Sequence, residues 1–120
     1  MQNKPIRFGP IAVPNAIGNL FNPPTLAGGV NVPGTATYVI IRHLRILNKT
    51  AGPVNFSGYI GATGGSAAGT EFIGTLKAIP ANDHIDWYGA VRLDIADFFT
   101  GVASAITSLV IEGEGEIGVA

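Results

Sequence analysis

Cysteine is absent from the 120 residues, which excludes a disulfide framework, a thiolate metal site and a thiol nucleophile. Charge is scarce: Asp, Glu, Lys and Arg make up 12% of the chain, and the formal net charge is −1. A general nucleic-acid binder carries a basic excess, so that class is disfavoured. Between Arg7 and Arg42 there is no charged residue. That stretch still cannot span a membrane, because Pro10, Pro14, Pro23, Pro24 and Pro33 interrupt it together with Asn15, Asn19, Asn22 and Asn31. Pro10 and Pro14 also break the apolar centre a signal peptide needs, so synthesis in the cytoplasm is the expectation. A chain this long can bury one core.

The charge that is present is unevenly laid out. The first 70 residues hold Lys4, Arg7, Arg42, Arg45 and Lys49 and no acid, whereas residues 71–120 hold all eight carboxylates against Lys77 and Arg92. The two parts therefore carry +5 and −6, which sum to −1. Such a split is satisfied inside one fold or between neighbouring copies. Pairing inside the fold is the simpler of the two. The intermolecular version would set Glu112, Glu114 and Glu116 against Arg42, Arg45 and Lys49 of a neighbour.

Six of the eight prolines fall within residues 1–34. Proline fixes φ and removes a donor, so this stretch is expected to be extended and irregular, not central in a sheet. It is too apolar for a disordered tail: it carries Phe8, Ile11, Val13, Ile17, Leu20, Phe21 and Leu26. The expectation is an N-terminal arm over residues 1–34 whose apolar side chains bind a partner or fold back, with a β-sandwich domain over 35–120. Fully extended, such an arm would reach ~110 Å at about 3.3 Å per residue.

From Thr35 onward the pattern is that of short strands. Thr37–Leu47 is rich in β-branched and apolar residues, and Val54, Phe56 and Ile60 alternate with polar neighbours. Glu71–Leu76 reads as a further strand, closed by a turn over Ile79–Asp83. His84–Tyr88 sets Ile85 and Trp87 on one face and His84, Asp86 and Tyr88 on the other. Val91, Leu93 and Ile95 alternate again, and Ile106–Ile111 continues through Ile117 and Val119. Ile95, Phe98, Phe99, Val102 and Ile106 fall near helical spacing with Asp94 as a cap, so one or two helical turns are expected there. Six or seven short strands make an all-β sandwich or jelly roll.

Catalytic signatures do not emerge. Gly113, Gly115 and Gly118 match a dinucleotide pattern by letter, but no helix can follow them, and Glu114 and Glu116 would repel a pyrophosphate. The loop Gly61–Gly69 lacks the lysine and hydroxyl of a Walker loop. Glu112, Glu114 and Glu116 share one strand face and offer too few converging oxygens for calcium. His43 and His84 are the only histidines and lie far apart in sequence. Trp87 and Tyr88 could stack a sugar, although a lone strand tryptophan more often fills a core. No catalytic residue, metal site or cofactor is expected.

The motifs Tyr38-Val-Ile-Ile-Arg-His-Leu-Arg-Ile-Leu-Asn-Lys-Thr50 and Gly61-Ala-Thr-Gly-Gly-Ser-Ala-Ala-Gly-Thr-Glu71 occur with Ile79-Pro-Ala-Asn82, Asp86-Trp-Tyr-Gly89 and Gly113-Glu-Gly-Glu-Ile-Gly-Val119. Together, over roughly residues 35–120, they resemble small structural proteins of tailed bacteriophages. The resemblance implies a non-enzymatic β-sandwich component of the virion. Within that group it implies a head decoration (cement) protein on the outside of the major capsid protein shell, commonly a homotrimer. A neck, connector or tail component is the nearest alternative, and a glycan-binding jelly-roll module a more distant one.

Overall fold

The computed structural model describes residues 2–21, 36–94 and 97–119. Eight strands follow one another: β1 (Gln2–Ala12), β2 (Gly18–Phe21), β3 (Ala36–Asn48), β4 (Val54–Gly61), β5 (Lys77–Ile79), β6 (His84–Leu93), β7 (Phe98–Ala103) and β8 (Leu109–Val119). They form two four-stranded sheets ordered β1-β8-β3-β6 and β2-β7-β4-β5, and every pair is antiparallel. The pairs β1·β8, β2·β7, β3·β6 and β4·β5 are those of one long hairpin folded on itself. Wrapping that hairpin brings β8 beside β3 and β7 beside β4, which completes two sheets. This is the jelly-roll arrangement.

The core lies between the sheets. Phe8, Val39, Ile41, Leu44, Ile46, Leu93, Leu109, Ile111 and Ile117 enter it from the first sheet. Leu20, Phe21, Val54, Phe56, Ile79, Phe99 and Ala103 enter it from the second. Aromatic rings bridge the layers in sequence: Phe8 to Phe21 at 4.8 Å, Phe21 to Phe99 at 5.4 Å, Phe99 to Phe72 at 5.7 Å, and Phe72 to Trp87 at 5.0 Å between centroids. Trp87 is thus turned inward, edge-on to Phe72, and gives no outer platform for a sugar.

The N-terminal segment corrects the expectation of an arm. Residues 2–12 are an edge strand on β8 and residues 18–21 an edge strand on β7. Phe8, Val13, Leu20 and Phe21 are buried in the domain's own core, Ile11 is partly buried against it, and Ile17 alone of this set is exposed. Leu26 lies outside the described residues. The physical reason is plain: without these side chains, one edge of each sheet would leave its inner row open to water. The prolines remain informative, since Pro5 and Pro10 occupy an edge strand, where missing donors are tolerated.

Three local readings also change. Glu71–Leu76 is not a strand: Ile73 and Leu76 take φ of 75° and 52°, which breaks extension, and its contact with β4 is reduced to a bridge between Tyr59 and Glu71 and backbone hydrogen bonds of Gly58 with Phe72 and Gly74. Phe98–Ala103 is a strand, held between β2 and β4, so sheet pairing overrides the helical spacing. Ile106 lies in an exposed turn ahead of β8. The Ile79–Asp83 turn forms as read, with Asn82 at φ 53°, a conformation asparagine tolerates. Buried side-chain nitrogen and oxygen atoms are all hydrogen-bonded among the described residues. Asn48, for instance, donates to the Gly52 and Ile79 carbonyls and accepts from the Thr50 amide and hydroxyl.

Candidate functional site

The outer face of the first sheet carries the charged residues singled out in the sequence. Its geometry begins with an irregularity in β3. Ile41 pairs with Gly115 of β8, yet His43 pairs with Glu114, so β3 holds one residue more than β8 across this step. Such a bulge re-aims side chains. Ile41 and Leu44 both enter the core, while Arg42 and His43 between them both serve the outer face. Glycines in β8 allow the approach. A Cβ on Gly115 would run into the Ile40 carbonyl oxygen, and one on Gly113 would meet the His43 carbonyl and the Leu44 side chain. The glycine-rich pattern near the C-terminus therefore serves strand packing.

Strand β6 completes the face. Its even-numbered residues point outward, and the register sets Tyr88 beside His43 and Asp86 beside Arg45. Asp86 Oδ1 accepts from His43 Nε2 at 2.8 Å and from Arg45 Nε at 2.9 Å. His84 Nε2 lies 3.2 Å from Asp86 Oδ2. The Tyr88 ring stacks on His43 with centroids 4.6 Å apart and an interplanar angle of 18°. On the other side, His43 Nδ1 lies 3.4 Å from Glu114 Oε1, and Arg42 pairs with Glu116. Arg42, His43, Arg45, Tyr88, Glu114 and Gly115 line an open depression of about 530 Å³.

Electrostatics follow from these contacts. The His43 hydrogen bond, and after it the Arg45 hydrogen bond, holds the Asp86 carboxyl below the usual carboxylate range. Asp86 in turn raises the Arg45 guanidinium, with a smaller contribution from Glu112 across the strand pair. The structure thus brings Arg42 to Glu116 and Arg45 to Asp86 within one sheet. Arg42, Arg45 and Glu116, read as possible contacts to a neighbour, have partners in their own chain. Lys49 sits exposed past the end of β3, beside Ser108, apart from this cluster.

Sequence reading missed the meeting of His43 with Asp86 and His84. The alternation in β6 placed His84 and Asp86 together, but only the pairing of β3 with β6 adds His43. An imidazole beside a carboxylate can relay a proton, while the residues lining the depression include no serine, threonine or cysteine to act as a covalent nucleophile. Among the described residues, no three His, Asp or Glu side chains converge as a metal site. The Gly61–Gly69 loop is pinned to its own domain: Asn19 Nδ2 donates to Thr63 Oγ1, the Gly64 amide donates to Asn19 Oδ1, and Thr100 Oγ1 donates to the Gly65 carbonyl.

No protein-family model and no curated protein matches the chain. Among solved structures, similarity extends to a chain of the virus-like particle of Macrobrachium rosenbergii extra small virus, with a TM-score of 0.47 and 9% identity, over 99% of this chain and 79% of that one. PirA matches with a TM-score of 0.40 and 12% identity, over 95% and 92% of the two chains. A chain of infectious bursal disease virus matches with a TM-score of 0.40 and 11% identity, over 96% of this chain but 28% of that one.

Proposed function

We propose that this chain is a non-enzymatic structural protein of a virus particle, and within that class a bacteriophage head decoration (cement) protein that binds and stabilises the major capsid protein shell. The observation that carries the proposal is the strand order β1-β8-β3-β6 over β2-β7-β4-β5, the jelly roll used by viral capsid domains, lectins and cupins. Fold alone does not select among those uses. The phage-like motifs of residues 35–120 favour the virion. The self-paired charges of the outer sheet face favour a surface that packs against protein more than one that captures a free ion.

Closure of the sandwich by β1 and β2 bears on how such a protein would act. The N-terminal apolar residues already serve the domain's own core. Docking is then an encounter of a preformed domain with a finished surface, with little ordering cost in residues 2–21. That suits addition onto an assembled shell. A neck, connector or tail position would use the same features. A glycan-binding module is the second reading, favoured by Tyr88, exposed at 71% on the rim of the depression.

The deciding experiment is a cryo-electron microscopy map of purified virions from the encoding phage. Many copies distributed over the outside of the shell are expected. A small ring of copies at one vertex would move the protein to the neck or tail, and absence from the particle would overturn the proposal.

A further inference from the structure

A free sheet edge presents a row of unpaired N–H and C=O groups, a template for another strand. This sandwich has four edges, and three are blunted. β2 and β5 are only four and three residues long. β1 contains Pro5 and Pro10 and a register shift between Phe8 and Ile11, each of which interrupts pairing. β6 differs: it runs ten residues without proline or lysine, and none of the described residues pairs with its outer side. Its inward row is also incompletely covered, since Ile85, Trp87 and Val91 pack on the core while remaining partly exposed.

The sequence of β6 complements its own reverse. In an antiparallel pair with a two-fold axis through Gly89, Asp86 faces Arg92 of a second copy and His84 faces Asp94. Each of these contacts occurs twice. On the inner side of the same pair, Trp87 faces Val91 and Ile85 faces Leu93. A one-residue slip would set the apolar row against the charged row. Centring on Tyr88 leaves Asp86 opposite Ala90, and centring on Ala90 sets Asp86 against Asp94. Of these three centres, only Gly89 opposes acid and base.

The groups concerned have capacity left. Three donors lie within reach of Asp86, and a carboxylate offers about four acceptor sites. Arg92 donates through Nε to Asp94 and lies over the Tyr38 ring at 4.4 Å; its remaining N–H groups belong to a side chain 59% exposed. We infer that β6 pairs with β6 of a second copy of this chain about a two-fold axis at Gly89, joining the two four-stranded sheets into one continuous sheet. The inference does not depend on where the protein acts.

A cysteine-free chain makes the test specific. In this register residue 88 of one copy faces residue 90 of the other, and both positions are exposed. The double variant Tyr88→Cys/Ala90→Cys is expected to form a covalent dimer under mild oxidation with diamide. Each single variant, whose thiol faces Ala90 or Tyr88, is expected to stay monomeric on a non-reducing gel. Sedimentation equilibrium of the unmodified chain should show a reversible dimer, and Arg92→Asp should raise its dissociation constant at least tenfold, with folding checked by circular dichroism. A chain that stays monomeric up to about 1 mM, a folded double variant that does not cross-link, or an Arg92→Asp chain that dimerises like the parent would overturn the inference. So would a monomer whose β6 amides are all protected from hydrogen exchange, because another segment of the same chain would then occupy the edge.

Discussion

Replacing Phe8 by alanine separates a docked strand from a free arm. Phe8 is fully buried, its ring 4.8 Å from Phe21, at the start of the aromatic series that joins the two sheets. Truncating a buried phenylalanine costs about 3–5 kcal/mol, the spread reflecting how far the site can collapse. Collapse is limited here, because the neighbouring rings are themselves held by Phe99 and Phe72. At about 0.05–0.15 kcal/mol per residue, a domain of this size has only about 6–18 kcal/mol in total. The variant therefore loses at least about a sixth of its stability, and most of it at the lower end of that range. With a urea slope of about 1.5 kcal/mol/M, the midpoint falls by about 2–3 M, and Tm falls by roughly 12–20 °C. The assay is equilibrium urea unfolding followed by Trp87 fluorescence, with Ile17→Ala, an exposed position of the same segment, as a control expected to stay within about 0.5 kcal/mol. A Phe8→Ala loss below about 1 kcal/mol would refute the placement of β1 in the sandwich.

Two further substitutions test the outer face. Gly115→Ala should destabilise by about 1–3 kcal/mol or more, since its Cβ would meet the Ile40 carbonyl of a central strand pair; a thermal midpoint equal to the parent's would contradict the close approach of β8 to β3. Asp86 has a folded pKa below its unfolded value, so the unfolded chain takes up the proton first as pH falls. Its contribution is full above the unfolded pKa of about 4 and is lost as pH drops through the folded value. Urea titrations from pH 7 to pH 3 should show a shallower acid loss in Asp86→Asn than in the parent, and parallel curves would remove His43 and Arg45 as the cause.

Burial of the N-terminal segment and exposure of β6 together change the picture of how this chain could assemble. An arm would bind by ordering on its partner; a closed sandwich binds through what its surface already presents. The β6 edge, unpaired among the described residues, is that surface's most directional feature, because backbone pairing fixes both orientation and register. A two-fold contact at β6 involves neither the β1 edge of the first sheet nor the second sheet.

How much was legible in the residues depends on whether the signal was local. Apolar and β-branched runs marked β3 and β8, and alternation marked β4 and β6 and gave the opposite faces of Ile85 and Trp87 against Asp86, because side chains alternate with period two whatever the partner. The turn at Asn82 was equally local, and Pro5 and Pro10 correctly barred residues 2–12 from a sheet centre. Composition and motif together gave the all-β class. What could not be read was which strands meet. Phe8 and Phe21 look the same in sequence whether they bind another subunit or the chain's own core, and only the pairing of β1 with β8 and β2 with β7 decides it. Phe98–Ala103 carries a helical spacing that sheet pairing overrides. His43 reaches Asp86 only because β3 lies beside β6, with a bulge at Arg42 that turns His43 outward. The sequence by itself determined β3, β4, β6 and β8 and the faces of β6, since these follow from backbone geometry one residue at a time. The tertiary structure alone decided the core's membership and the polar cluster, since both arise from contacts between residues distant in the chain.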